Sequence, residues 1–274
     1  MEIDVGCTPV EFARLAGVKL TVTVITYNEA DHIQNALDSV AWADEIIVVD
    51  SGSTDGTAEL ARTRATQVML RDWPGYSDQK NFAAAQASHD WILSLDADER
   101  VTSELAAEIR ALMAQGPTAR GYRVRRVSRY LGKWIRTTDW YPDHQLRLYD
   151  RRAATWNGAR VHESVRLDDG APAQLRGELL HYGYRNISHH LKTIDTYTTL
   201  VAEQWHEEGR RTHALSMAIH PWLAFMRNYV LRRGVMDGAA GLVISLLNAY
   251  YVFLKHAKLW ERQAIPPRGG AATR

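Results

Sequence analysis

The chain has a single cysteine among its 274 residues, Cys7. No disulfide can form within it, which fits a reducing compartment. Excess charge of one sign is also missing: 33 Lys and Arg face 32 Asp and Glu, a net of +1 with neutral histidines. So even a balance predicts no nucleic-acid partner. Long apolar runs are absent apart from "GAAGLVISLLNAYYVFL", Gly238 to Leu254, which carries no charge over seventeen residues. That is the lower edge of a membrane-spanning length, and Ser245 and Asn248 interrupt it. The opening "MEIDVGCTPVEFARLAG" contains acids and lacks an unbroken apolar stretch, so no secretory signal is expected there.

What is present suits a sizeable core, with 46% hydrophobic and 24% charged residues. The length allows one large α/β domain, or a domain with an appendage. The neutral total hides unevenness. Ten Lys and Arg but three Asp lie between Gly121 and Arg160, and eight Lys and Arg but two acids between Arg210 and Arg262. Such excesses meet an anionic substrate or a lipid surface, or they are solvated helix faces.

The first half alternates strand and helix signals. "LTVTVITY" (Leu20–Tyr27) is rich in β-branched residues, and "EADHIQNALDSV" spaces Ile33, Leu37 and Val40 on one helical face. "EIIVVD" (Glu45–Asp50) is a short apolar run of the kind buried on both faces. "TAELARTR" and "SDQKNFAAAQAS" read as helices, "QVML" and "WILSLD" as strands, and Thr102 or Ser103 can cap a helix running to about Gln115. The alternation predicts an α/β fold, a mostly parallel sheet flanked by helices. Ligands of such sheets bind at the carboxyl ends of the strands, where the Asn28, Asp50 and Asp96 stretches lie. From Gly121 the pattern changes to short strands, "GYRVRRVSRYLG" alternating like an exposed one. From Ile187 it is helical, with further helices expected at about His220–Arg233 and Met236–Trp260.

"WILSLDADER" sets Asp96, Asp98 and Glu99 at the end of a buried strand. Like charges so close do not all stay ionised unless the turn is well solvated or a cation sits among them. Asp96-Ala97-Asp98 is a D-x-D turn whose carboxylates can approach one hard cation, Mg²⁺ or Mn²⁺, or it is a helix-capping turn. Asp50 can accept hydrogen bonds from a base or ribose, whereas Ser53, Thr54 and Asp55 read as turn and cap. Thr26 and Asn28 end the first strand and can hold a nucleotide, with Glu29 at the following helix start. Lys80, if it points inward, neutralises a diphosphate.

"VITYNEADHIQNALDSV", "EIIVVDSGSTDGT" and "QKNFAAAQASHDWILSLDADE", in this order and spacing, resemble the family 2 glycosyltransferases of the GT-A fold. With "WYPDHQLRLYDRRAATWNGARVHESV" and "FMRNYVLRRGVMDGAAGL", the chain from about Lys19 to Glu261 resembles the lipopolysaccharide-core enzymes of the WaaE/KdtX type. That resemblance implies a GT-A catalytic domain over 19–186, with a donor-binding half 19–116 and an acceptor half 117–186. A helical, membrane-associating region would follow over 187–262 and a disordered tail over 263–274.

It also implies inverting, metal-assisted transfer of a hexose, glucose by expectation, from a UDP-linked sugar to an inner-core or other envelope glycan. Thr26, Asn28, Glu29, Asp50, Lys80, Asp96, Ala97 and Asp98 would then form the donor site. Asp98 and Asp96 would hold the metal, with His162 as a further ligand. The base that takes the acceptor proton would be Asp143, with Glu163 as the alternative; Pro142 stands where many family members have glutamate before that aspartate.

Trp134, Trp140, Tyr141 and Trp156 offer flat faces to a carbohydrate acceptor, or belong to the core. The acceptor expected is an anionic glycolipid, and the place expected is the cytoplasmic face of the bacterial inner membrane. Arg227, Arg232, Arg233, Lys255 and Lys258 would face its lipid. A phosphotransferase with a D-x-D nucleophile would carry Thr or Val where Arg100 stands. The rival from another class is a non-catalytic, membrane-associated sugar-nucleotide-binding protein, which would bind donor without turnover.

Overall fold

Leu20–Thr26 (LTVTVIT) forms β1, and all seven of its residues are buried. A strand covered on both faces belongs inside a sheet. β1 lies there, parallel to β2 (Glu45–Asp50) on one side and β4 (Trp91–Asp96) on the other. β3 (Gln67–Leu70) extends the parallel set beyond β2. The computed structural model that shows this arrangement describes residues 17–158 and 163–265. Cys7, His162 and the expected tail from 266 onward lie outside the described residues.

Helices α1 (Ile33–Asp38), α2 (Thr57–Arg62) and α3 (Tyr76–Ala85) fill the three crossovers, and α4 (Ser103–Gln115) follows the short strand β5 (Glu99–Val101). Ile33 and Leu37 of α1 and Leu105 and Ile109 of α4 pack with Val22, Val24 and Leu93 in one apolar layer. Ala83 and Ala84 of α3 pack with Ile25, Ile47, Val49 and Ile92 in the other. Thr102 is the cap of α4: its hydroxyl accepts from Leu105 N–H at 3.2 Å, and Glu104 sits in the first turn where the helix dipole favours a negative charge.

Beyond β4 the sheet continues with β8 (Asp143–Asp150), β6 (Gly121–Tyr130), β11 (Ala173–His181) and β5. β8 runs antiparallel to β4, and β11 antiparallel to β5. β6 is therefore not the exposed strand its alternating arginines suggest. It lies between β8 and β11, with Tyr122, Val124 and Val127 buried. A separate hairpin joins β9 (Ala154–Trp156) to β10 (Val165–Leu167).

Among the described residues, those up to Arg126 together with those of His144–His181 form one compact unit, and Val127–Asp143 with those from Tyr182 onward form a second. The units change over at 181/182, near the expected 186, and 127–143 groups with the C-terminal helices. The reason is packing: Tyr130 and Ile135 share a core with Ala240 and Ile244, against Trp140, Tyr184 and Val243.

The second unit contains the end of β6 paired with β7 (Lys133–Ile135), and helices α5 (Ile187–Glu207), α6 (Ala214–Met226) and α7 (Gly238–Ala264). α6 begins six residues before the expected His220, so Pro221 lies inside it. α7 runs to Ala264, past the expected start of the tail at 263.

Gly177 of β11 sits under α4. A Cβ there would lie 2.5 Å from Leu105 Cα and 2.8 Å from its backbone nitrogen, so helix and sheet would have to separate. Gly177→Ala is expected to lower stability by about 1–3 kcal/mol, read as a lower urea midpoint at unchanged slope. A wild-type midpoint would mean that α4 shifts freely on the sheet.

Candidate active site

Register places the chemistry. Thr26, the last residue of β1, is paired with Asp50, the last of β2, and Ile25 is paired with Asp96, the last of β4. Three strand ends thus bring Thr26, Asp50 and Asp96 to one edge of the parallel sheet, where such folds bind ligands. Asp50 is fully buried and holds its own turn. Its Oδ1 accepts from the Gly52 and Ser53 amides at 3.0 and 2.9 Å, and its Oδ2 from Ser53 Oγ at 2.5 Å. Ser53 Oγ in turn accepts from Asn28 N–H at 2.8 Å, while Asn28 Oδ1 accepts from Thr54 N–H at 2.9 Å. Glu29 N–H donates to Thr57 Oγ1 at 2.8 Å. The loops after β1 and β2 are therefore one hydrogen-bonded rim. The Thr26 hydroxyl at the end of β1 is buried without a hydrogen-bond partner, which buried polar atoms normally have.

The acidic turn is not frustrated, because cations come from the protein. Arg147 on β8 is 2% exposed, and its Nη2 lies 2.5 Å from Asp96 Oδ2 and 2.6 Å from Glu99 Oε1. Arg126 reaches Glu99 Oε1 at 3.2 Å, and Glu99 Oε2 accepts from Asp96 N–H at 3.0 Å. Lys80 points inward as expected: its Nζ is 3.0 Å from Asp96 Oδ1, 3.5 Å from Glu163 Oε1 and 4.3 Å from the Trp156 ring centre. Asp98 Oδ2 faces His181 Nε2 at 3.3 Å.

Burial opposes ionisation of Asp96, but the Arg147 and Lys80 charges win and hold it well below the usual carboxylate range. Asp98 is likewise depressed: burial raises it, and the His181 ring more than offsets that. Arg147 is raised despite its burial, by Asp96 and Glu99.

Of the two candidate bases, Glu163 joins this cluster through Lys80. Asp143 is half-buried at the start of β8, four residues before Arg147, and groups with the second unit. Two of the four aromatic residues expected to face an acceptor are packed within their own units. Trp156 is core in the first unit, its Nε1 donating to Tyr149 Oη at 3.1 Å. Trp140 packs on Tyr130 and Tyr184 in the second unit. Asn81, next to Lys80 on α3, holds the Trp156 backbone from both sides: Trp156 N–H donates to its Oδ1 at 2.9 Å, and its Nδ2 donates to the Trp156 carbonyl at 3.1 Å.

A divalent cation fits only a shared arrangement. Among the described residues no group of three or more His, Cys, Asp and Glu converges as a metal cage. The Asp98 carboxylate and His181 Nε2, 3.3 Å apart at the edge of the turn, are the groups that would hold such an ion. That suits Mg²⁺ or Mn²⁺, which keep waters and take diphosphate oxygens as their remaining ligands.

Residues 21–164, more than half of the chain, match the model of glycosyl transferase family 2. The chain belongs to that family. It is 30% identical to the lipopolysaccharide core biosynthesis glycosyltransferase LpsC of Rhizobium meliloti, over 91% of this chain and 94% of that protein. An uncharacterized glycosyltransferase of Rickettsia typhi is also 30% identical, over 89% of this chain and 87% of its own length. Among solved structures, the mannosyltransferase PcManGT from Pyrobaculum calidifontis, in complex with GDP-Man and Mn²⁺, matches with a TM-score of 0.52. At 18% identity, over 88% of this chain and 87% of that one, the likeness is one of fold. The expected GT-A architecture, a mostly parallel sheet flanked by helices and followed by long C-terminal ones, is thereby established for this family 2 member.

Sequence reasoning missed Arg147, Arg126 and His181. An arginine between leucines in "QLRLYD" is the one signal that pointed to a buried cation. Removing one partner of a buried ion pair strands the other, so Arg147→Met should cost on the order of 3–5 kcal/mol in urea unfolding. Adding Asp96→Asn and Glu99→Gln should recover part of that loss. The sign of the pH effect is fixed. Asp96 is depressed below its unfolded value of about 3.9, so its stabilisation is full above that pH and is lost as pH falls further. Asp96→Asn should flatten this acid limb, and an unchanged limb would remove Asp96 from the charge network.

Proposed function

We propose that this family 2 enzyme transfers a hexose, glucose, from a UDP-linked donor to an anionic glycolipid of the lipopolysaccharide inner-core type, at the cytoplasmic face of the inner membrane. The observation that carries donor use is the meeting of Thr26, Asp50 and Asp96 at adjacent strand ends, with Lys80 turned in beside them. Similarity to LpsC over nearly the whole of both chains supports the acceptor class.

The rim formed by Asn28, Glu29 and the Asp50 turn receives the nucleoside, and the unpartnered Thr26 hydroxyl supplies a hydrogen bond. Lys80 places a buried positive charge against the donor diphosphate. Asp98 and His181 would hold the divalent cation, with Asp96 kept ionised beside them by Arg147. When bound, that cation stabilises the charge that develops on the leaving diphosphate.

Inversion requires the acceptor oxygen to bond to the anomeric carbon from the face opposite the diphosphate. The acceptor proton passes to a carboxylate as the carbon–oxygen bond to phosphate breaks and its electron pair leaves with the nucleoside diphosphate. Asp143 is assigned as that carboxylate, because Glu163 already shares Lys80 with Asp96.

Asp98→Asn should retain the fold and lose most release of nucleoside diphosphate from UDP-glucose, and excess chelator should do the same to the wild type. Undiminished release in either case would sink the metal-assisted reading. A lost general base typically costs about a hundred- to ten-thousandfold in rate. Asp143→Asn should therefore abolish transfer while donor binding, measured by calorimetry, persists. An active Asp143→Asn enzyme beside a dead Glu163→Gln enzyme would move the base to Glu163.

A further inference from the structure

In the second unit, α6 and α7 form an antiparallel pair: His220 Nδ1 lies 3.0 Å from His256 Nε2, and Gln263 Nε2 donates to the Arg210 carbonyl at 3.1 Å. The inner side of α7 is engaged with α5. Lys258 Nζ donates to Asp195 Oδ1 and Thr199 Oγ1, both at 2.7 Å, and Arg262 Nη2 to Glu203 Oε1 at 2.6 Å. Ile244, Ser245 and Leu259 are buried on that side.

The outer side is bare. Leu242, Leu246, Tyr250, Phe253 and Trp260 are all exposed and fall at helical spacing on one stripe of α7. Leu215, Ile219, Trp222 and Leu223 do the same on α6, Trp222 being 62% exposed. The turn between the helices adds Val230, Leu231, Val235 and Met236, with Leu231 76% and Met236 67% exposed. Gly234–Ala264 is long and apolar enough to cross a membrane, yet only 28% of its most apolar stretch is buried, so it is not the covered core helix of a globular unit. Contiguous apolar exposure on this scale marks an interaction surface.

Charge selects the occupant. Between Glu208 and Glu261 the chain has one acid, Asp237, against five arginines and two lysines. Asp237 is buried and accepts from Thr137 Oγ1 at 2.6 Å. A second copy of this chain would set one positive rim against another. An anionic lipid surface complements both the rim and the stripe, and the exposed tryptophans and tyrosine suit the headgroup boundary.

We infer that the outer face of the α6–α7 hairpin, with its turn, docks in the headgroup region of an anionic bilayer with both helices lying in the membrane plane. A spanning α7 would strip Lys258 and Arg262 from Asp195 and Glu203. The basic contacts differ from those expected from sequence. Lys258 is engaged on α5, Lys255 lies 5.0 Å over the Trp205 ring, and Arg227 is paired with Asp139. Arg232 Nε lies 3.7 Å from the same Asp139, and Arg233, exposed beside it in the turn, is the headgroup contact. The inference stands on the second unit alone and needs no nucleotide sugar, so its failure and that of the transfer reading are separate events.

The full-length protein is sedimented with phosphatidylcholine vesicles with and without phosphatidylglycerol, at low and high salt. Binding to anionic vesicles at low salt is expected, falling several-fold on neutral vesicles or in high salt. Leu231→Glu with Met236→Glu should cut the bound fraction by about tenfold, and Trp222→Ser on the other helix should reduce it independently. Both variants should keep wild-type thermal unfolding and donor hydrolysis. Absence of binding to anionic vesicles at low salt would overturn the inference, as would undiminished binding by both variants. Sedimentation velocity supplies the competing outcome: a dimer broken by these substitutions, with no vesicle binding, would assign the face to a second copy.

Discussion

Asp96 and Glu99 can lie together at the end of β4 only because the Arg147 guanidinium stands between them. Desolvating each carboxylate costs several kcal/mol, and only close, hydrogen-bonded countercharges offset such a cost. This requirement explains the break in the sheet. A further parallel strand beside β4 would need another crossover; the antiparallel β8, paired from Leu93 with Leu148, instead delivers Arg147 directly to the strand end. Arg126 on β6 completes the set from the next strand. The donor edge is therefore organised before any donor arrives.

A neutralised turn also changes what a ligand does there. A diphosphate bound as proposed would compete with Asp96 and Glu163 for Lys80, and a divalent cation between Asp98 and His181 would replace the direct contact of the two. Each ligand exchanges partners with groups already ionised, so binding does not require a buried charge to be created. Asp96, held by Arg147 on its other oxygen, keeps a partner when Lys80 turns away.

Much of the first unit was legible in the sequence because its signals are local. β-Branched runs gave the parallel strands, and Thr102 and Gln115 bounded α4 as expected. Strand ends then placed Thr26, Asp50 and Asp96 together. What escaped depends on pairing between distant strands. Arg147, Arg126 and His181 meet the acidic turn through strands 27 to 83 residues away, and nothing in a local pattern ranks one arginine above its neighbours. Asp50 shows a different limit: its position was readable, but its hold on its own turn needed coordinates. The division between units was hidden too, because β6 serves the sheet with one end and the Tyr130 cluster with the other.

The grip of Asn81 on Trp156 has a consequence beyond the site. β9 belongs to a two-stranded sheet, so its side away from β10 would be an open edge. The Asn81 amide presents one acceptor and one donor to the Trp156 N–H and carbonyl, as a neighbouring strand would. Ser77, one turn earlier on α3, donates to the carbonyl of Asn157 next along. Helix side chains thus occupy the groups of Trp156 and Asn157 through which another chain could add a strand on the β9 side of the hairpin.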